Sequence, residues 1–519
     1  MELSARFPPA KRPELFTFLR RPCSIMTPMS RPSEPTGRRA RRRAAVALCL
    51  LLGACPAALR ADVSARDLPV LGDASSSLIS PEMERQIGGQ FLKQLHSALP
   101  TVNDPILKYW VERHISDLAQ HSQYHDSLMQ VVVIDNEQIN AFAAPGGVVG
   151  INLGLLLAAE DVHEYSSVVA HELAHLSQRH FARGIEEQRA NALPTLASLI
   201  AAIMVGAVGG GDAGIAAISA AQAASQQNQL RYSRTREQEA DRIGLNTMAR
   251  AGLDPAGMSR MFERMQQAYR FTRRPPEFLL THPLSESRIA DARQQVQDFP
   301  SRDYEDSQDY ALMRARAAVH YADTPQAAVK RFEKEVRDHP DSAPARYGLA
   351  LALSRAGQHQ QAIALGDELF TADPRSILYV AAYAELLIEA GKLDQAESLL
   401  AGNLNINPDN APLSMLYVEA LVRQEQYRKA EEVLARQSRL RKDDVDVWYE
   451  LAEVSGQAGN IIGVHRARAE YFALHGAYQK AIAHLEYARR LADGNDRQLL
   501  ARLDQRIDDF RTALRVARS

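Results

Sequence analysis

Cysteine is nearly missing from this chain of 519 residues. There are three, Cys23, Cys49 and Cys55, all near the N-terminus. Everything downstream of them is built without disulfides, and a metal bound there must be held by histidine and carboxylate rather than sulfur. Excess charge of either sign is also missing. Lys and Arg number 61 against 63 Asp and Glu, a net charge of −2, which gives no sign of a nucleic-acid-binding surface. No apolar stretch is long enough for a permanent membrane span, which takes roughly 20 residues. The length itself is too great for one core and allows two or three domains.

The N-terminal part has the layout of an exported protein. The first 28 residues are rich in Pro, Arg and Ser without periodicity, and Met26 or Met29 is a plausible true start. Arg38-Arg39-Ala40-Arg41-Arg42-Arg43 is a basic n-region, and 44–54 is an apolar h-region. Small residues follow up to Ala61, which points to cleavage between Ala61 and Asp62. Residues 1–61 are therefore expected to be leader and signal peptide, and the product to be periplasmic. Leu52-Gly53-Ala54-Cys55 also resembles a lipobox, which would anchor the protein through Cys55 instead; Pro56 directly after it fits that motif poorly.

His171-Glu172-Leu173-Ala174-His175 carries the most chemistry. Val168, Val169, Leu173, Leu176 and Phe181 recur near helical period, so the motif lies on a helix with one buried side. Histidines four apart stack on one face and can converge on one tetrahedral Zn²⁺, while Glu172 is placed to take a proton from a water at the metal. Such a site needs a third protein ligand. The best candidate lies in the charged helical stretch 233–242, where Ser233 and Thr235 are possible caps. Glu237 and Asp241 are four apart and share a face. Glu237 can ligate zinc, and Asp241 can accept a hydrogen bond from the far nitrogen of a ligand histidine.

Around this motif, Ser80-Pro81 starts a helix with Met83, Ile87, Phe91 and Leu95 on one side, and a second helix follows from Pro105 to Leu118. Residues 129–134 read as a strand. Pro145-Gly146-Gly147 is a turn between two short arms. The second arm, 148–151, is expected to be the edge strand beside the metal helix, where an extended substrate could pair with it. Residues 193–225 are nearly uncharged and broken by Gly209-Gly210-Gly211. They suit a buried helical hairpin, or a surface that makes peripheral contact with membrane or with unfolded outer-membrane protein. In Thr281-His282-Pro283-Leu284, Pro283 extends the backbone at His282. This histidine could close the fourth position of the metal as a latch, serve as oxyanion donor, or merely be a solvated loop residue; Arg288 is the rival oxyanion donor.

The C-terminal part repeats. Pro340, Pro374 and Pro408 are 34 apart, as are Gly357 and Gly391, and Ala362, Ala396 and Ala430. Two helices about Gly357 in each 34-residue unit is the tetratricopeptide pattern, a solenoid with a concave binding face. Trp448, Leu451 and Gly459 continue the phase, and Gly476 falls half a repeat out of it.

His171-Glu172-x-x-His175 followed by Glu237-x-x-Ala240-Asp241 resembles the gluzincin metallopeptidases that include the CAAX prenyl endopeptidase and the heat-shock membrane protease. Adding Asn140-Ala141-Phe142-Ala143-Ala144-Pro145-Gly146-Gly147, the Thr281-to-Leu284 segment and the repeats, the whole order is similar to the β-barrel assembly-enhancing proteases of bacteria. The resemblance implies a mainly α fold: a gluzincin-type zinc peptidase domain with a small β-sheet over 62–300, then a tetratricopeptide-repeat solenoid over 301–519. It implies one Zn²⁺ per chain on His171, His175 and Glu237. It also implies a catalytic pair, Glu172 as general base and Asp241 in support. For Asp241 an orienting role is preferred to proton donation, because a carboxylate beside zinc stays ionised. The implied substrates are unfolded or misassembled outer-membrane proteins, and the implied partner is the β-barrel assembly machinery. A chaperone or assembly scaffold with a latent metal site is the alternative, although a pure scaffold has no need of Glu172.

Overall fold

The computed structural model describes residues 79–187, 200, 204, 234–270 and 276–517. The leader, with both candidate processing points at Ala61 and Cys55, lies outside the described residues, as do Ser233 and all of 193–225 except Ile200 and Met204. Among the described residues no helix is long and apolar enough to cross a membrane.

Helix α1 (Pro81–Ala98) starts as its sequence requires: Ser80 is the N-cap, accepting the Met83 N–H, and Pro81 occupies the first turn. Ile87, Phe91 and Leu95 are buried. Met83 is 42 % exposed, because it sits in the first turn before the packed stretch begins. Helix α2 (Pro105–Gln120) is capped by Asp104, whose Oδ1 accepts the N–H groups of Ile106 and Leu107.

Three strands follow, β1 (Gln130–Ile134), β2 (Ala141–Ala144) and β3 (Val148–Asn152), in the order β1-β3-β2. The edge strand expected at 148–151 is in fact central. β1 pairs with it in parallel (Val132 opposite Gly150) and β2 antiparallel (Phe142 opposite Gly150). The β-branched run of β1 takes the outer side of β3, so the open edge passes to β2, the first arm of the hairpin. Gly147 at the turn has φ +87, and a Cβ there would meet the Tyr124 hydroxyl at 2.6 Å, so only glycine fits.

Helices α3 (Leu153–Ala158), α4 (Val162–Ser177), α5 (His180–Glu187), α6 (Arg234–Arg250), α7 (Ala256–Arg270), α8 (Glu277–Thr281) and α9 (Glu286–Val296) complete this half. α4 carries the H-E-x-x-H motif. Every residue from Val162 to His175 is buried, not one face only, because α2, β2, α6 and α7 surround it. Thr235, a candidate cap, lies inside α6 and is exposed.

The remaining described chain is helical, from α10 (Gln308–His320) to α21 (Arg497–Val516). The 34-residue period shows directly. Helices Ala343–Arg355 and His359–Ala372 flank Gly357, and Gly357, Gly391 and Gly459 take φ between +73 and +77. The third position of that series, between Gly391 and Gly459, is Glu425, which adopts φ +63 without being glycine. Gly476 lies at the next connection, between Ile461–Leu474 and Tyr478–Leu491, which explains its half-repeat offset.

The array is joined to the N-terminal half at its first helix and again part-way along. The Tyr310 hydroxyl donates to the Leu156 and Ala159 carbonyls at 3.0 Å, and Arg316 reaches Asp104. Further along, at the connection before the helix Val445–Gln457, Lys108 on α2 meets Asp446 at 2.7 Å and Asp444 at 3.2 Å, while Arg441 meets Glu112 at 2.8 Å. Burial raises the Asp444 carboxyl, but Lys108 and Arg441 outweigh it and bring it down to about 2. A folded-state value below the unfolded one stabilises the fold while the group is ionised. The contribution, roughly 2 kcal/mol, is complete above about pH 4 and is lost as the pH falls towards 2. Asp444→Asn should therefore reduce the urea-unfolding free energy by about that amount at neutral pH, with the deficit shrinking in acid. A deficit that does not change with pH would show that the ion pairs are not its source.

Candidate metal centre

The centre forms where α4 crosses α6. Position 171 and position 175 lie one turn apart on α4, and Glu237 sits in the first turn of α6 opposite both. The C-cap of α8 brings in His282, whose backbone N–H is held by the Phe278 carbonyl and whose ring stacks on Phe278. His171, His175, Glu237 and His282 are all buried, and one ligand atom from each lies within 4.8 Å of the others. The solvated-loop alternative for His282 is excluded by its 2 % exposure.

The donor spacing can be compared with what zinc requires. Four N or O donors at ordinary zinc bond lengths in a tetrahedron stand about 3.3 Å apart. His171 Nε2 to His175 Nε2 is 3.0 Å, His171 Nε2 to Glu237 Oε2 is 3.5 Å, and His175 Nε2 to Glu237 Oε1 is 3.4 Å. His282 Nδ1 is 3.3 Å from His171 Nε2 and 3.2 Å from Glu237 Oε1. The donor set and its spacing fit the ion.

Charge around the centre is arranged in pairs. His171 Nδ1 is 2.9 Å from Asp241 Oδ1. Arg288 grips the same carboxylate with two hydrogen bonds of 2.7 Å, donates to the Pro283 carbonyl at 3.0 Å, and lies 2.7 Å from Glu237 Oε2. Burial alone would raise Glu237, but His282 and hydrogen bonds from the three histidines hold it well below the usual carboxylate range. Burial lowers His171, yet Asp241 and Glu237 bring it up to about 9; burial holds His175 well below its ordinary value. Glu172 goes the other way. Burial raises its carboxyl, only partly offset by His282 and His171. Its Oε1 is buried without a hydrogen bond, 3.4 Å from His282 Nε2, and the Ala143 N–H of the edge strand is directed at the same carboxylate. This is an acceptor of raised basicity facing the donor cluster.

A cavity of about 280 Å³ opens beside the centre, lined among others by His175, Phe181, Tyr124 and the β2 residues Ala143 and Ala144. Sequence reasoning missed two residues of the centre. His180 is fully buried with Nδ1 2.9 Å from His175 Nδ1, and Glu239 Oε2 is 3.1 Å from His180 Nε2. Burial lowers His180 to about 4. Neither residue falls at a spacing that marks it: Glu239 is two positions from Glu237 and so points away from it on the helix.

Residues 105–296 match Peptidase family M48, and residues 387–454 match the tetratricopeptide repeat. The chain is 32 % identical over 456 residues to the β-barrel assembly-enhancing protease of Escherichia coli O157:H7, covering 86 % of this chain and 92 % of that one. It is 30 % identical over 450 residues to the Yersinia pestis protein of the same name, covering 86 % and 91 %. A shorter match, 35 % over 155 residues and 29 % of each chain, links it to the bovine mitochondrial metalloendopeptidase OMA1. A buried histidine–carboxylate centre on an H-E-x-x-H helix, a helical repeat array, and near full-length similarity lead to one conclusion: the chain belongs to the β-barrel assembly-enhancing protease family and is an M48 metalloendopeptidase with tetratricopeptide repeats.

Proposed function

We propose that this protein is a periplasmic zinc endopeptidase that removes misassembled outer-membrane proteins, with its repeats docking to the β-barrel assembly machinery. The single observation that carries the catalytic part is the convergence of His171, His175 and Glu237 at tetrahedral spacing beside Glu172. The names of the full-length relatives support the biological part. The division into a peptidase domain up to residue 300 and a repeat domain from 301 belongs to the same proposal.

His171, His175 and Glu237 would hold the ion. Zinc supplies a Lewis acid that polarises the scissile carbonyl and makes water a better nucleophile. Glu172 takes the proton of the attacking water and returns it to the leaving nitrogen, a task suited to a carboxyl raised by burial. Asp241 fixes His171 through Nδ1, and Arg288 fixes Asp241. With its guanidinium committed to two carboxylates and a carbonyl, Arg288 serves as a positioning residue rather than the oxyanion donor. An extended substrate would add to the open edge of β2 and run through the adjoining cavity, which binds backbone with little sequence preference.

His282 brings a fourth ligand atom to within 4.8 Å of those of His171, His175 and Glu237, where it could fill the position a water would take. In that position it favours the latch over the oxyanion role, and gives a protease that is quiet until the α8–α9 segment shifts. A scaffold function can coexist with a closed centre of this kind.

Three outcomes test the proposal. His171→Ala removes one of three protein ligands, so stoichiometric zinc retained after dialysis would contradict the ligand set. Glu172→Gln should keep zinc and fold yet abolish cleavage of casein or of itself; wild-type turnover would refute the general base, and full rescue of an envelope defect by this variant would favour the scaffold. His282→Ala, compared at equal zinc occupancy, should raise cleavage of unfolded substrates. A fall of about 10²-fold would instead make His282 the oxyanion donor.

A further inference from the structure

His180 stands just past a sharp bend. Arg179, between α4 and α5, has φ +48, a left-handed conformation that costs a non-glycine residue about 1 kcal/mol. Its side chain is tied down, Nε to Glu84 Oε2 at 3.1 Å and Nη2 to the Ile79 carbonyl at 2.6 Å. The bend folds the chain back so that the buried ring of His180 meets His175, Nδ1 to Nδ1 at 2.9 Å. On the other side of the ring, Glu239 Oε2 lies 3.1 Å from Nε2 and also accepts from Arg183 at 3.1 Å.

Counting protons fixes the direction of each bond, given that His175 ligates through Nε2 as proposed above. A neutral histidine with a bare Nε2 carries its proton on Nδ1. Two Nδ1 atoms at 2.9 Å need one proton between them, and it is the one on His175, so His180 Nδ1 accepts. His180 must then carry its own proton on Nε2, which donates to Glu239. We propose that His180 is a positioning residue that holds His175 in its ligating tautomer and orientation, with Glu239 fixing His180 in turn. Both ligand histidines of α4 thus have a carboxylate of α6 behind them, Asp241 directly and Glu239 through His180, and each carboxylate is paired with an arginine, Arg288 and Arg183. Outer partners of this kind change metal affinity when removed.

The test is the zinc affinity of the full-length protein, measured by competition with a fluorescent chelator, with thermal melts to check the fold. His180→Phe keeps the ring volume and removes the acceptor; zinc should bind about 10- to 100-fold more weakly. His180→Asn places an acceptor oxygen near the old Nδ1 and should restore most of the loss. Unchanged affinity in the Phe variant overturns the proposal. So does a folded Asn variant that binds as weakly as the Phe variant, since position 180 would then matter only for packing. If the Phe variant does not fold, the Asn variant decides alone: affinity close to wild type supports the role, and weak binding in a folded protein overturns it. A wild-type protein that binds no zinc is a separate failure, because it removes the metal centre itself and the proposal with it.

Discussion

A buried carboxylate facing three imidazoles is the constraint around which this half of the protein is built. Glu237 lies almost wholly out of water, and a charge in that position is costly unless it is paired. Its partners come from three places in the sequence: α4 supplies His171 and His175, the end of α8 supplies His282, and α9 supplies Arg288. Each must be delivered to within a few tenths of an ångström, which is why α4 is enclosed on every side and not half exposed like an ordinary amphipathic helix. The sheet shares in this enclosure. Its open edge, β2, packs against α4 and directs the Ala143 N–H at Glu172.

The position of His282 follows from the same packing. His282 is locked by its backbone bond to Phe278 and by ring stacking, so its approach to the donor cluster is built into the α8 cap and is not an accident of a loose loop. Arg288 links the Pro283 carbonyl to Asp241 and Glu237, which ties the backbone next to His282 to the carboxylates of α6. Movement of this segment would therefore disturb the pairing of the α6 carboxylates. The repeat array is held to the same half, its first helix by α3 and its Arg441–Asp446 stretch by α2.

Much of the centre was legible in the sequence because helices translate spacing into direction. The i, i+4 histidines, the i, i+4 pair Glu237 and Asp241, and the 34-residue recurrence of Gly357 and Gly391 all survive intact in the structure. What was not legible depends on contacts between distant segments. Strand order could not be read, because nothing local says that β1 will claim the outer side of β3. The return of the array onto α2 joins residues more than 300 positions apart and leaves no periodic trace. His180 was hidden by a bend at Arg179 that no glycine announces, and Glu425 was hidden in the same way, holding a left-handed turn where its repeat mates use glycine.

The most direct test of the central claim is anomalous diffraction at the zinc edge from crystals of the zinc-loaded protein. The account predicts one strong peak per chain, bounded by His171 Nε2, His175 Nε2 and the Glu237 carboxylate, with His282 Nδ1 as the fourth ligand in the closed centre and Glu172 beside it and outside bonding distance. A peak held by other residues, or a centre that stays without zinc while the protein cleaves its substrates, would contradict it.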